Sequence, residues 1–454
     1  MRPFVIELDD RALSLARGGQ VLASAPSAVF DGSTGEPTGA AAWHAVRLLP
    51  TATSTRHLGA VTGQASALRS AHDLLTADLR RRLDEHPVTG EERVWIVAPA
   101  RASTQGLGSV LAIARSLDLP VDGFVDGAAV TAAALGINRT ALVLELGLHH
   151  VAATAVDCDV QARRRRAVVF EQSGLIELYE AWLDLISAAM VKRTRFDPLH
   201  DAATEQQLFD ALPALAKQAA SAGTVTATVM AGTERIEATL SRDQFAQAAQ
   251  PLCREMLRLL HELRPAGETV ALIVPQAVAG FPGIREAIES FVGCRLHAIP
   301  DGFAAAATSL LDLPLREPDV APRLLRRLPI RPLPEIAEAV SVETLGRRGE
   351  EGPSATHALF EGRAYALGAD ALVVGRAPAT SNAIVLPEGL AGVSRRHCTF
   401  LRDGGELVLI DHSRYGTFVN GERVAERVRV HAGDRVRIGD PGVEISLIAV
   451  AEAR

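Results

Sequence analysis

Residues 313–334 hold six prolines in 22 positions, with Arg323, Arg326, Arg327 and Arg331 interleaved. Proline fixes φ and removes a backbone donor, so this stretch is barred from a helix interior and from a central strand. It reads as an extended, semi-rigid connector. A softer stretch with Gly346, Gly349, Gly352 and Pro353 carries it on to residue 356. The expected layout is an α/β region over 1–312, a Pro/Arg-rich linker over 313–356, and a region of short, glycine-punctuated strands over 357–454.

In the first region, short apolar runs at 4–8, 12–16 and 21–23 are separated by polar turns, which reads as a strand meander. Strands follow at 94–97, near Phe124, at 141–146, 151–156 and 270–274, with helices at 104–117, 128–135, 175–263 and 283–291. Strand pairs followed by helical crossovers predict an α/β fold with mixed sheets. The net charge of −7 argues against general nucleic-acid binding, which needs a basic face. No apolar run approaches the ~20 residues that span a bilayer, and Asp9 and Asp10 interrupt the N-terminus too early for a signal peptide. The four cysteines (Cys158, Cys253, Cys294, Cys398) stand far apart, which excludes a Cys-x-x-Cys metal or redox pair. A cytoplasmic setting is expected. His149 and His150 are adjacent, so on a strand they face opposite ways and cannot chelate one metal. The four arginines 163–166 read as a solvated hairpin edge.

Four segments of the α/β region carry more. Glu7-Leu8-Asp9-Asp10-Arg11 joins the first two strands, and Glu145-Leu146-Gly147-Leu148-His149-His150 joins a later pair. Residues 126–132 open an alanine-rich helix, and Gln276-Ala277-Val278 with Pro282-Gly283 follows the strand at 270–274. In this order, over about residues 1–312, the chain resembles the actin-like ATPase superfamily, and within it the nucleotide-binding part of DnaK-type heat-shock chaperones. The resemblance implies a two-lobed fold with ATP and Mg²⁺ between the lobes, and it places Glu7, Glu145 and Gly147 at any residual nucleotide or Mg²⁺ site. The residues themselves argue against that ligand. A phosphate cradle needs unhindered N–H groups and no nearby anions. Asp9 and Asp10 put carboxylates where the triphosphate would lie, and Leu148 and His149 put side chains where the family keeps glycine. A degenerate platform is expected: a pseudo-ATPase with no catalytic residue, no cofactor and no metal.

The last 98 residues are sharper. Gly375-Arg376 ends a strand, Ser394-Arg395-Arg396-His397 precedes the next pair, and a turn-strand-hairpin runs from Ser413-Arg414-Tyr415-Gly416 to Asn420-Gly421. Gly433-Asp434 and Ile438-Gly439 close the pattern. Together these resemble a forkhead-associated (FHA) domain over nearly its full length. The resemblance implies an all-β sandwich whose loops at one end bind phosphothreonine. That group brings about −1.5 to −2 charges and three acceptor oxygens, and a guanidinium fork with a short hydroxyl donor answers it. Arg376, Ser394 and Arg395 supply the set; the resemblance implies that Arg376 and Ser394 touch the phosphate, with Arg395 beside them. His397 is expected to brace the Ser394 loop from beneath. Gly375 and Gly416 support the loops, and Asn420-Gly421 reads as a type I′ turn. Where the family usually has asparagine, this chain has Tyr415, which lacks the amide's paired donor and acceptor. Arg414 and Tyr415 are therefore the expected substitutes at that contact.

The function these readings imply is a phosphothreonine-dependent adaptor, partnered by a phosphothreonine-containing protein and a Ser/Thr kinase, on an inactive DnaK-like platform. Two alternatives stand beside it: an ATP-binding chaperone-like or ATP-switched assembly protein, and a phosphate-independent structural subunit of a larger complex.

Overall fold

The computed structural model describes residues 3–30, 38–63, 69–265, 268–317, 320–345, 355–387, 390, 392–419, 422–424, 426–432, 434–439 and 442–449. The chain divides into two compact units. The first comprises residues 1–263, 271–290 and 296–342; the second comprises 343–454 with the short segments 264–270 and 291–295.

The first unit is mixed α/β, and its two sheets repeat one strand plan. In one sheet β1 (Phe4–Glu7) stands in the middle. β2 (Leu13–Arg17) and β3 (Gln20–Ala25) return antiparallel on one side of it, and β4 (Val94–Ala98) and β5 (Val121–Asp126) run parallel on the other. In the second sheet β6 (Ala141–Leu146) takes the middle. β7 (Val151–Cys158) and β8 (Gln161–Phe170) form the antiparallel side; β9 (Val270–Pro275), parallel to β6, and then β10 (Cys294–Ile299) form the other.

Alternation along β1 decides what covers each face. Phe4 and Ile6 join the core beneath α1 (His57–Thr62), α2 (Arg69–Glu85) and α3 (Thr104–Ser116). Val5 points the other way, into a core shared with β6, β9, α4 (Gly127–Ala134) and α5 (Phe303–Leu310). The alanines of α4 and α5 are almost entirely buried, and their small side chains let both sheets close on these helices.

Part of the expected connector belongs to these sheets. β11 (Arg323–Leu325) adds in parallel to β5, and β12 (Arg327–Pro329) adds antiparallel to β8. Leu328, Leu333 and Ile336 are buried in the shared core. The proline argument excludes only central strands: both elements are three-residue edge strands, and Pro322 and Pro329 sit at their ends, where a missing N–H costs little. Residues 346–354 lie outside the described residues. The arginine run falls within β8, with every guanidinium paired: Arg163 and Arg165 to Asp157, Arg164 to Asp126, Arg166 to Glu262.

The second unit carries an all-β sandwich. One sheet has the order β14-β13-β23-β22-β19-β20, from β13 (His357–Phe360), β14 (Arg363–Ala366), β19 (Thr417–Val419), β20 (Glu422–Arg423), β22 (Arg435–Ile438) and β23 (Val443–Ile448). The other has the order β16-β15-β17-β18-β21, from β15 (Leu372–Gly375), β16 (Ala383–Val385), β17 (Cys398–Asp403), β18 (Glu406–Asp411) and β21 (Arg427–Arg429). Val374, Phe400, Leu409, Val419, Val436 and Ile445 are among the side chains that fill the space between them.

Candidate functional site

At one end of the sandwich, three loops are tied together by backbone. β15 ends at Gly375, where an added Cβ would stand 2.1 Å from the Arg395 carbonyl oxygen. Only glycine admits the 394–396 loop that closely. The contact is sealed by Arg376 N donating to Ser394 O (3.1 Å) and Ala377 N to Arg395 O (3.0 Å). Arg376, Ser394 and Arg395 are thereby brought to one place. Among the described residues neither guanidinium, nor the Ser394 hydroxyl, has a partner within the chain.

His397 lies beneath them, fully buried. Its Nδ1 accepts from Ser394 N (3.1 Å) and its Nε2 reaches Gly416 O at 3.2 Å. The first bond requires an unprotonated Nδ1, so the proton sits on Nε2 and donates to the carbonyl. One ring thus spaces the Ser394 loop from the 413–416 loop. Burial holds its pKa below the usual histidine value, against the opposing pull of Gly416 O and Asp411.

The third loop is shaped by Asp411, which has no role in the sequence pattern, together with Ser413. Asp411 accepts from Ser413 N (2.9 Å) and Thr417 Oγ1 (2.7 Å), and Ser413 Oγ accepts from Gly416 N (2.7 Å). The Asp-His-Ser spacing is itself the signal of such a side-chain-to-backbone turn. Gly416 has φ +100°, a conformation that favours glycine. The loop presents Arg414 and Tyr415 to solvent; Tyr415 is 69% exposed and lies 3.6 Å from where a Gly392 Cβ would sit. Asn420 and Gly421 lie outside the described residues; on either side of them, Val419 pairs with Glu422.

Glu7, Glu145 and Gly147 also meet, in a cavity of the first unit that Asp10, Arg11, His150 and Asp301 help to line. Its free volume is about 80 Å³, and Asp10, Gly59 and Arg101 of its lining also line a cavity of about 600 Å³. Several of its polar groups are engaged with one another. Asp10 Oδ1 accepts the amide of Leu148 (2.9 Å), and its other oxygen lies 3.6 Å from His150 Nδ1. Burial alone would raise the Asp10 pKa, but His150 and the Leu148 amide hold it at about 2. Arg11 bridges Asp9 (3.2 Å) and Asp301 (2.7 Å). Gly147 leaves no room for more: a Cβ there would be 2.1 Å from His150 Cε1.

The two glutamates are equally committed. Glu7 accepts from Ala305 N in the first turn of α5 (2.8 Å), and Glu145 from Ala100 N (2.9 Å). Desolvation raises Glu7 to about 8, with Asp9 adding to it, and raises Glu145 to about 7. Both therefore carry much of their population protonated near neutral pH. The Leu148 amide is thus already taken by the Asp10 carboxylate. His149 and His150 lie in the loop before β7 rather than on a strand, His149 against Thr55 and His150 against Asp10. Among the described residues no cluster of His, Cys, Asp and Glu has the make-up of a metal site, and no helix is long and apolar enough to cross a membrane.

With these sites laid out, comparison with known proteins adds one match. No curated protein matches the chain. The model of the FHA domain matches residues 372–439, the stretch from β15 to the end of β22 that carries the three loops described above.

Proposed function

We propose that this protein is an adaptor that binds phosphothreonine. Its C-terminal domain takes a partner phosphorylated by a Ser/Thr kinase, and its first unit serves as a two-lobed, actin-like platform that no longer uses nucleotide. The observation carrying the reading is the backbone junction that brings Arg376, Ser394 and Arg395 together, braced by His397, with both guanidinium groups and the Ser394 hydroxyl left without partners among the described residues. Preorganised, unpaired donors suit a dianionic ligand. The platform reading is supported by the repeated strand plan, which the two lobes of the actin-like superfamily would share, and by Asp10 standing on the Leu148 amide.

Fluorescence anisotropy with matched phosphorylated and unphosphorylated threonine peptides tests the adaptor. Losing a hydrogen bond to a charged group costs ~1.5–3 kcal/mol, so Arg376→Ala should weaken phosphopeptide binding about tenfold or more. Equal affinity for both peptides would favour a phosphate-independent structural subunit. Calorimetric titration with ATP·Mg²⁺ should show no binding. ATP turnover abolished by Glu145→Ala would instead favour the ATP-switched alternative.

A further inference from the structure

Arg423 has no role in the sequence pattern, yet it stands at the reader end. It lies on β20 opposite Phe418, and its side chain crosses Gly416: the Nε is 2.7 Å and the Cδ 3.3 Å from where a Gly416 Cβ would be. This puts a guanidinium beside the 414–416 loop. Arg376, Arg395, Arg414 and Arg423 are all exposed, and among the described residues none has an acidic partner. Each arginine of the 163–166 run, by contrast, is paired with a carboxylate. Four unpaired cations exceed what one phosphothreonine, at about −1.5 to −2, neutralises. Gathering them at one end without a carboxylate raises the local positive potential, which favours a more anionic ligand.

We infer that the ligand carries a second anionic group beside its phosphothreonine, a carboxylate or another phosphate, and that Arg423 is the residue that reads it. This rests on the phosphothreonine reading above. Arg376 and Ser394 would answer the phosphate, while Arg423, reaching across Gly416 from β20, answers the flanking charge.

The test uses the full-length protein and four phosphothreonine peptides, flanked by alanine, glutamate, lysine or a second phosphothreonine, plus the unphosphorylated alanine peptide. Exposed charge pairs are each worth a few-fold in affinity, so the glutamate and doubly phosphorylated peptides should bind roughly three- to tenfold more tightly than the alanine peptide, with lysine the weakest. Added salt should shrink the preference. Arg423→Ala should cut affinity for the acidic peptides about threefold more than for the alanine peptide, and Arg423→Lys should restore most of the difference. A preference for the doubly phosphorylated peptide alone identifies phosphate as the second anion; an equal gain with glutamate identifies a general acidic flank. Phosphate-dependent binding that ignores the flanks overturns the inference and leaves the phosphothreonine reading standing. So does an Arg423→Ala loss equal across all peptides, which marks a structural residue. Binding that ignores the phosphate overturns both.

Discussion

His397 shows how a residue that need not touch ligand can set a binding site. Replacing it by alanine orphans Ser394 N and Gly416 O, each worth about 1–3 kcal/mol when buried and unpaired. His397→Ala should therefore lower the unfolding temperature of the C-terminal domain and weaken phosphopeptide binding together. Its titration gives a second check. The folded-state pKa is depressed by burial, so as pH falls below about 6.5 the unfolded chain takes up a proton that the folded chain refuses. Stability contributed by the neutral ring is complete above that pH and is lost as pH falls through it. Calorimetry between pH 7 and 5 should show the C-terminal transition dropping in the wild type and a shallower slope in His397→Gln. The place of His397 was suggested through the resemblance to an FHA domain rather than by any local pattern. Arg423 was not: one arginine after a hairpin is indistinguishable from a solvated strand residue until the fold lays it across Gly416. Asp10 was legible only in part. Its charge argues against phosphate, but nothing local says that it would take the Leu148 amide 138 positions away.

At the scale of elements, short apolar runs bounded by polar turns exposed β1, β2, β4 and β6, and an alanine-rich stretch exposed α4, because burial on both faces leaves its mark on consecutive residues. The turn between β1 and β2 is where local and tertiary demands diverge. Glu7 ends β1 pointed at the first turn of α5, a helix nearly 300 positions later, and its carboxyl accepts Ala305 N from a desolvated site. Desolvation, with Asp9 adding to it, raises its folded pKa to about 8 from an ordinary 4.5. Between those values the folded chain keeps a proton that the unfolded chain releases, so this group makes stability fall as pH rises from 4.5 to 8. Glu7→Gln keeps an acceptor for Ala305 N and removes the ionisation. It should match the wild type near pH 4.5 and exceed it at pH 8 by on the order of 1 kcal/mol or more, roughly 2–4 °C in unfolding temperature. A variant less stable than the wild type at pH 8 would mean that the ionised carboxylate is needed there.

At the scale of the whole chain, composition misleads at residues 313–334. Proline density reads as a tether because proline removes ladder donors, but the edges of two sheets have donors to spare. Strands β11 and β12, with Arg326 alone between them, close the rims of both sheets of the first unit, each beside a strand more than 150 positions earlier. Leu328, Leu333 and Ile336 then seal the alanine-rich core from that side. No local pattern carries this, because three-residue strands are too short to show a period. The consequence is sharp for dissection of the molecule. A fragment ending at residue 312 removes both edge strands and exposes the core positions those three side chains cover. Full burial of such side chains is worth about 1.5–3 kcal/mol each. That sum is comparable to the net stability of an ordinary domain, ~5–15 kcal/mol. Residues 1–312 should therefore be expressed largely insoluble or unfold at markedly lower denaturant than residues 1–345, which retain the edge strands. The two fragments are compared by circular dichroism during urea unfolding. Equal midpoints would return residues 313–345 to the status of a spacer.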